Sequence, residues 1–471
     1  MSQALAIVKG AAMEPCRPWP RYVLSAHAWT ALAAEPVTLL AAWADTLQVH
    51  ALFADAASGT VLPVSVAVEA GAYPALSPNR PGAAWYERLI RDLWGHTASG
   101  GDVRPWLDHD YWPHTQPLAI RPGPPPRDVE PPTFQEMPGE TLMQWPIGPL
   151  GQGIGEASHL RLTLDGSRIV RAESRLGYTH KGTLVLMRAK SPRVAARFAA
   201  RLAGDATVAH SVAFAMATEA ALAVEAPPRA VALRTLMAGL ERIATHLDDL
   251  ATLAGLAGAA QLHGRCGLQQ EYLRRGMAAT FGHRLMMDCV VPGGVAGDAD
   301  PNGLSALRQA LGSLQAEWPI ICRLVENGGL AARLTGLGVT RRALVAQLAV
   351  SGAAQQASQH AGDAAARCEA RLDAIEQDTA AAIARLSDLP EGGLAVALPM
   401  NSGEGLGQCA SARGDIWHWL RLDHGQIAAV FPRDPGWALW PLAEAALVGA
   451  EASDAALICC SLGLPVSGMD L

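Results

Sequence analysis

The sequence contains no pair of cysteines at C-x-x-C spacing; its eight cysteines (16, 266, 289, 322, 368, 409, 459 and 460) are scattered along 471 residues. A small disulfide scaffold is excluded, no zinc or iron–sulfur ligand set can be read from spacing, and most thiols are expected to be buried. Basic residues are also short, with Lys+Arg 37 against Asp+Glu 44 and a net charge of −7, so the cationic excess that nucleic-acid binding requires is missing. No apolar run reaches the length of a membrane-spanning helix, because Glu35, Glu219, Glu444 and Glu451 interrupt the richest stretches. The N-terminus lacks a basic leader followed by a small-residue cleavage site, which predicts a cytoplasmic chain. There is no P-loop, no G-x-S-x-G and no H-E-x-x-H, and GPLGQGIG (148–155) precedes a hairpin pattern rather than a helix, so it reads as a loop and not a dinucleotide cradle.

Half of the residues are hydrophobic, much of that alanine, while aromatics make up 5% and are mostly the 13 tryptophans, a balance that favours close-packed helices. The predicted class is α+β. A small N-terminal α+β domain spans 15–120, with strand-like VHALFAD and TVLPVSVAVEA and an amphipathic helix over 83–95 that puts Trp85, Leu89, Leu93 and Trp94 on one stripe. Residues 121–142 form a Pro-rich linker that can hold neither helix nor central strand, and each flank has its own apolar pattern, so the two units should fold separately or nearly so. The second domain, 143–471, opens with a β-hairpin turning at Asp165-Gly166 and becomes mainly helical from about Ser191 to Leu389. It includes a long helix over 227–258 and an alanine-rich helical stretch over 355–390, and returns to short strands that turn at Asp423-His424-Gly425. Glu241, Thr245 and Asp248 share a helix face, which reads first as a polar face or a helix–helix hydrogen bond and only second as a metal or proton-transfer site.

Residues 73–117, with their Trp-Tyr-Glu-Arg helix and Asp-Leu-aromatic-Gly turn, resemble the small hydrophilic-arm subunit of complex I. Residues 147–182, 227–250, 283–295 (HRLMMDCVVPGGV) and 413–430 resemble its quinone-site partner, a homologue of nickel–iron hydrogenase large subunits. The two occur in this order in one chain, as in formate-hydrogenlyase-type membrane hydrogenases. That family holds nickel and iron with four thiolates, and the corresponding positions here are Ala203, Ala206, Pro465 and Gly468. Cys459 and Cys460 lie beside the second motif but are adjacent rather than spaced, and are expected to be buried rather than ligands.

The resemblance therefore implies no metal held by this chain's own ligands and a subunit that is not itself an active hydrogenase. It implies an iron–sulfur cluster in a neighbouring small subunit, antiporter-like membrane subunits as further partners, and a peripheral place on the cytoplasmic side of the inner membrane. Of the quinone-binding pair in complex I, the histidine position is taken by Gly151 and the tyrosine position by Gly204, and the proton-route glutamate by Leu184. Candidates left around a modified cavity, where a quinone-like acceptor could bind, are His159, Tyr178, His180, Asp205, His210 and Arg413; Lys181 is the candidate beside the neighbouring cluster. The expected function is electron transfer within a complex I-like or hydrogenase-like oxidoreductase. The alternative is a non-catalytic structural or assembly subunit that kept the fold.

Overall fold

The computed structural model describes residues 2–107, 112, 114–124, 134, 137, 139, 141–150 and 156–471. Most of the expected Pro-rich linker, and Gly151, lie outside them. After α1 (Gln3–Lys9), the chain builds a five-stranded sheet from β1 (Ala12–Glu14), β2 (Arg21–Leu24), β3 (Thr38–Ala44), β4 (Gln48–Asp55) and β5 (Thr60–Ala67), in the order β1-β2-β5-β4-β3, with α2 (Ala26–Ala34) crossing between β2 and β3. β4 and β5 read as near-continuous apolar runs because both faces of the sheet are covered. β6 (Ala72–Pro74) and β7 (Thr97–Ser99) pair in parallel around α3 (Ala84–Trp94), whose Leu89, Ile90 and Leu93 are buried as the stripe predicted. Gly95, at φ +79°, ends that helix in the left-handed conformation.

The second unit opens with β8 (Leu142–Ile147), β9 (His159–Asp165) and β10 (Arg168–Arg175), the expected hairpin with one further strand. Then follow α4 (Thr183–Met187), α5 (Pro192–Ala199), α6 (Thr207–Leu222), α7 (Pro228–Leu256) and α8 (Ala260–Phe281). A ribbon, β11 (Val290–Val291) with β12 (Gly294–Val295), leads to α9 (Pro301–Asn327), α10 (Leu330–Leu334), α11 (Arg342–Gln347), α12 (Ala353–Ala357) and α13 (Ala364–Ser387). The stretch 355–390 is thus two helices rather than one. Asp363 caps α13 by accepting from Ala366 N, and Gly362, at φ +69°, sits where a Cβ would lie 2.5 Å from the Thr340 carbonyl.

β13 (Gly403–Ser411), β14 (Gly414–Asp423) and β15 (Gln426–Arg433) form an antiparallel sheet, and the chain then returns to helix in α14 (Gly436–Leu447), α15 (Ala455–Leu462) and α16 (Ser467–Asp470). β13 lies against α6 at backbone range. Gly403, Gly405 and Gly407 alternate along the strand, and a Cβ on each would come within 2.1, 2.1 and 2.2 Å of the carbonyls of Ala221, Ala217 and Ala213. Alternation on the strand meets i, i+4, i+8 spacing on the helix, so glycine faces alanine three times.

The expectation of nearly separate units is corrected by a common core. Trp43 of β3 packs on Trp419 of β14 and Phe431 of β15, with ring centroids 5.4 and 5.8 Å apart. Arg21, 2% exposed, makes a two-pronged ion pair with Glu404 of β13 at 2.7 and 3.0 Å. The N-terminal sheet buries its inner face against β13–β15, and neither half can exclude water from these groups alone.

Candidate functional site

Four segments meet: the turn 176–182 after β10, the loop 201–206 between α5 and α6, the β13–β14 turn with Arg413, and the chain from Gly463 to Asp470. Ala203 and Ala206 are buried and form an apolar cluster with Ala209, Ala213 and Ile416. At Gly468 a Cβ would lie 2.1 Å from Asp434 Oδ2, and the Pro465 carbonyl accepts from Trp440 Nε1 at 2.7 Å. The nickel–iron donor set therefore does not fit: two positions are methyl groups inside a core, one is a ring, and the last has no room for a side chain. Cys409 packs against the alanine cluster, and burial pushes its thiol up to about 12. Cys459 and Cys460 face different cores, and burial pushes both thiols up to about 12. Among the described residues no three His, Cys, Asp or Glu side chains converge to hold a metal ion.

What fills the region is fixed charge. Arg413 donates from Nε to Asp205 Oδ2 at 2.9 Å and from Nη1 to Asp249 Oδ2 at 2.5 Å, and Arg371 donates to the same Asp249 oxygen at 2.9 Å. Burial alone would raise the Asp249 carboxyl, but Arg413 and Arg371 outweigh it and hold the group well below the carboxylate range. Among the described residues Asp205 has only Arg413 as an ion-pair partner, and burial leaves its carboxyl raised. Gly463, at φ +64°, lets the chain pass where a Cβ would meet Arg413 Nη1 at 2.1 Å. Lys181 does not join this group. Its Nζ donates to the carbonyls of Leu202 (3.4 Å) and Ser467 (3.1 Å), tying together the two segments that carry the replaced thiolate positions. Burial draws its pKa down, offset in part by Asp470, Glu156 and Asp434.

His210 is fully buried on α6, hydrogen-bonded through Nδ1 to His418 Nε2 at 3.0 Å and through Nε2 to Asp434 Oδ2 at 3.2 Å. Burial and the neighbouring His210 push His418 well below the usual imidazole range, so it is neutral. His180 donates from Nδ1 to the Asp470 carbonyl at 2.5 Å and stacks on Trp112, while Gly177 and Thr179 bind the Asp470 carboxylate. Tyr178 is 37% exposed on the same turn. His159 lies apart, at the start of β9 beside Phe134 and Arg161. Gly204 is exposed with nothing within 4 Å of where a Cβ would stand, and Leu184 is buried in the core shared by the two units. The structure thus joins Asp205 to Arg413 and sets Lys181, His180 and His210 around the Gly463–Asp470 segment.

Sequence reasoning missed Asp249, Arg371, His418 and Asp434. Only the run Asp434-Pro435-Gly436 carried a local signal, a turn before a helix.

The face shared by Glu241 and Thr245 is a helix–helix joint. Glu241 accepts from Val208 N (2.6 Å) and Ala209 N (3.0 Å) at the start of α6, and Thr245 Oγ1 donates to the Asp205 carbonyl at 3.1 Å. Burial pushes the Glu241 carboxyl up to about 8 despite these donors. Because the folded state then holds a proton that the unfolded chain releases near 4.5, stability should fall as pH rises from about 4.5 to 8. Glu241→Gln should flatten that slope in denaturant titrations at several pH values; an unchanged slope would show that Glu241 ionises normally.

An alanine-lined loop, a C-terminal segment and an arginine turn converge beside a β-hairpin, and Ala203, Ala206, Pro465 and Gly468 offer no donor to a soft metal there. The family described as "Respiratory-chain NADH dehydrogenase, 49 Kd subunit" matches residues 265–367. Formate hydrogenlyase subunit 5 of Escherichia coli is 27% identical over 459 residues, covering 86% of this chain and 78% of that protein. An NADH-quinone oxidoreductase subunit of Granulibacter bethesdensis is 37% identical over 160 residues, 34% of this chain and 40% of that protein. A chain in the structure of the membrane-bound sulfane sulfur reductase, an archaeal respiratory membrane complex, shares the fold at TM-score 0.65 and 21% identity, covering 70% of this chain and 99% of that one. The chain is thus similar to subunits of NADH-quinone oxidoreductases and of membrane-bound hydrogenases.

Proposed function

We propose that this chain is the large hydrophilic-arm subunit of a membrane-bound complex I-like or hydrogenase-like oxidoreductase. In this reading it packs on an iron–sulfur small subunit, on the cytoplasmic side of the inner membrane, with antiporter-like subunits as membrane partners. It takes part in electron transfer to a quinone-like acceptor without a nickel–iron centre. No helix among the described residues is long and apolar enough to cross a membrane, so anchoring in this reading comes through partners. The observation that carries the proposal is the Lys181 amine, kept between the Leu202 and Ser467 carbonyls beside the replaced thiolate positions. A fixed cation there favours the reduced form of a nearby cluster, and it acts more strongly in a partly buried site than in water.

Lys181→Met in the intact complex should lower the potential of the nearest cluster in a redox titration while the complex stays assembled. Elemental analysis of the same preparation should find no nickel on this subunit. One observation favours a purely structural or assembly role: Arg413 is fully engaged by Asp205 and Asp249. An unchanged potential in assembled Lys181→Met, together with loss of assembly in Arg413→Met, would establish that second reading and remove the first.

A further inference from the structure

Residues 181–201 hold six cations, Lys181, Arg188, Lys190, Arg193, Arg197 and Arg201, and no carboxylate, in a chain of net charge −7. Arg193 and Arg197 lie on α5 and the other four flank or join α4 and α5, all at the surface and interleaved with the exposed aliphatic side chains Val185, Leu186 and Val194. Arg201 is neutralised by a two-pronged ion pair with Asp288 at 2.6 and 2.8 Å. Arg193 and Arg197, one turn apart on the exposed side of α5, enter no ion pair among the described residues. Between α5 and the β11–β12 ribbon lies a pocket of about 370 Å³, walled by Ala196, Val290, Val291 and Ala296, with Arg193 and Arg197 in its lining together with Asp288, whose carboxylate Arg201 already holds.

Paired guanidinia match the oxygens of a phosphate diester, and an aliphatic slot beside them matches the hydrocarbon attached to it. An acidic polypeptide would supply carboxylates, but its acidic side chains are too short and polar to fill the slot as an acyl chain would. We propose that the α4–α5 surface is an anionic-phospholipid site, with Arg193 and Arg197 on the phosphate, acyl carbons in the pocket, and Arg188 and Lys190 extending the contact with an anionic bilayer. This goes beyond the redox reading and does not depend on it.

Vesicle flotation of the full chain tests the site. Binding is expected to phosphatidylcholine vesicles containing phosphatidylglycerol and not to phosphatidylcholine alone. R193E/R197E should weaken it by at least about tenfold and R193Q/R197Q by less, since each cation at an anionic surface contributes several-fold. R341E/R342E at the start of α11 should leave it unchanged at the same Tm. Glycerol phosphate and inorganic phosphate should compete poorly, because neither fills the slot. Equal binding to neutral vesicles, equal loss in the R341E/R342E pair, or full competition by inorganic phosphate would overturn the proposal. So would unaltered vesicle binding by R193E/R197E together with failure to co-purify with its complex, which would assign the surface to an acidic protein partner.

Discussion

Replacing Glu404 with alanine is expected to destabilise the chain by about 3–5 kcal/mol, the cost of leaving one partner of a buried ion pair uncompensated. Glu404 accepts from Arg21 at two points and from Trp419 Nε1 at 2.8 Å, and both partners are almost wholly buried. Burial pushes its carboxyl up, but the Arg21 hydrogen bonds and charge outweigh this and hold it below the usual carboxylate value. Gln48, Ser65 and Glu14 also accept from Arg21, yet only Glu14 carries charge, and it is half-exposed to solvent. The double variant Arg21→Met/Glu404→Leu should recover much of the loss, because it removes both charges and keeps the volume. Denaturant unfolding followed by tryptophan fluorescence would measure both. A single variant within about 1 kcal/mol of the wild type, or a double variant no better than the single, would contradict the assignment of Arg21–Glu404 as the polar lock of the shared core.

Gly405→Ala should cost about 3 kcal/mol, since its methyl group would meet the backbone of α6 at Ala217 O (2.1 Å) and Ala221 N (2.6 Å), and backbone cannot swing aside as a side chain can. Gly267→Ala is the opposite case. Nothing lies within 4 Å of its Cβ position on α8, so the variant should gain about 0.5–1 kcal/mol from helix propensity. Thermal unfolding of the two variants should therefore move Tm in opposite directions. Shifts of the same sign would show that close approach between β13 and α6 is not what selects glycine.

Local patterns gave away the elements whose burial is one-sided. The stripe of α3, the length of α7 from its starting proline, and the turns at Asp165-Gly166 and Asp423-His424-Gly425 all carry their reason within a few residues. β13 carried none, because GEGLG reads as a loop until a helix with alanine every fourth residue is placed against it. α6 is buried nearly all round, so it has no amphipathic period to read, and α14 and α15, almost entirely apolar, hide theirs in the same way. At the site, the replaced thiolate positions were legible only through family resemblance. Asp249 and Asp434 were not, because their partners lie 164 and 224 residues away in the chain and no spacing rule reaches that far.

The shared core also sets a timetable for biosynthesis. Arg21 meets Glu404 across 383 residues, and Trp43 cannot be covered until Trp419 and Phe431 exist. At roughly 5–20 residues per second, the first sheet waits on the order of 20–80 s with one aromatic face and one buried-type guanidinium still in water. During that interval the nascent chain presents a sticky strand surface, so its yield in the cell depends on what shields the N-terminal sheet before residues 404–431 leave the ribosome.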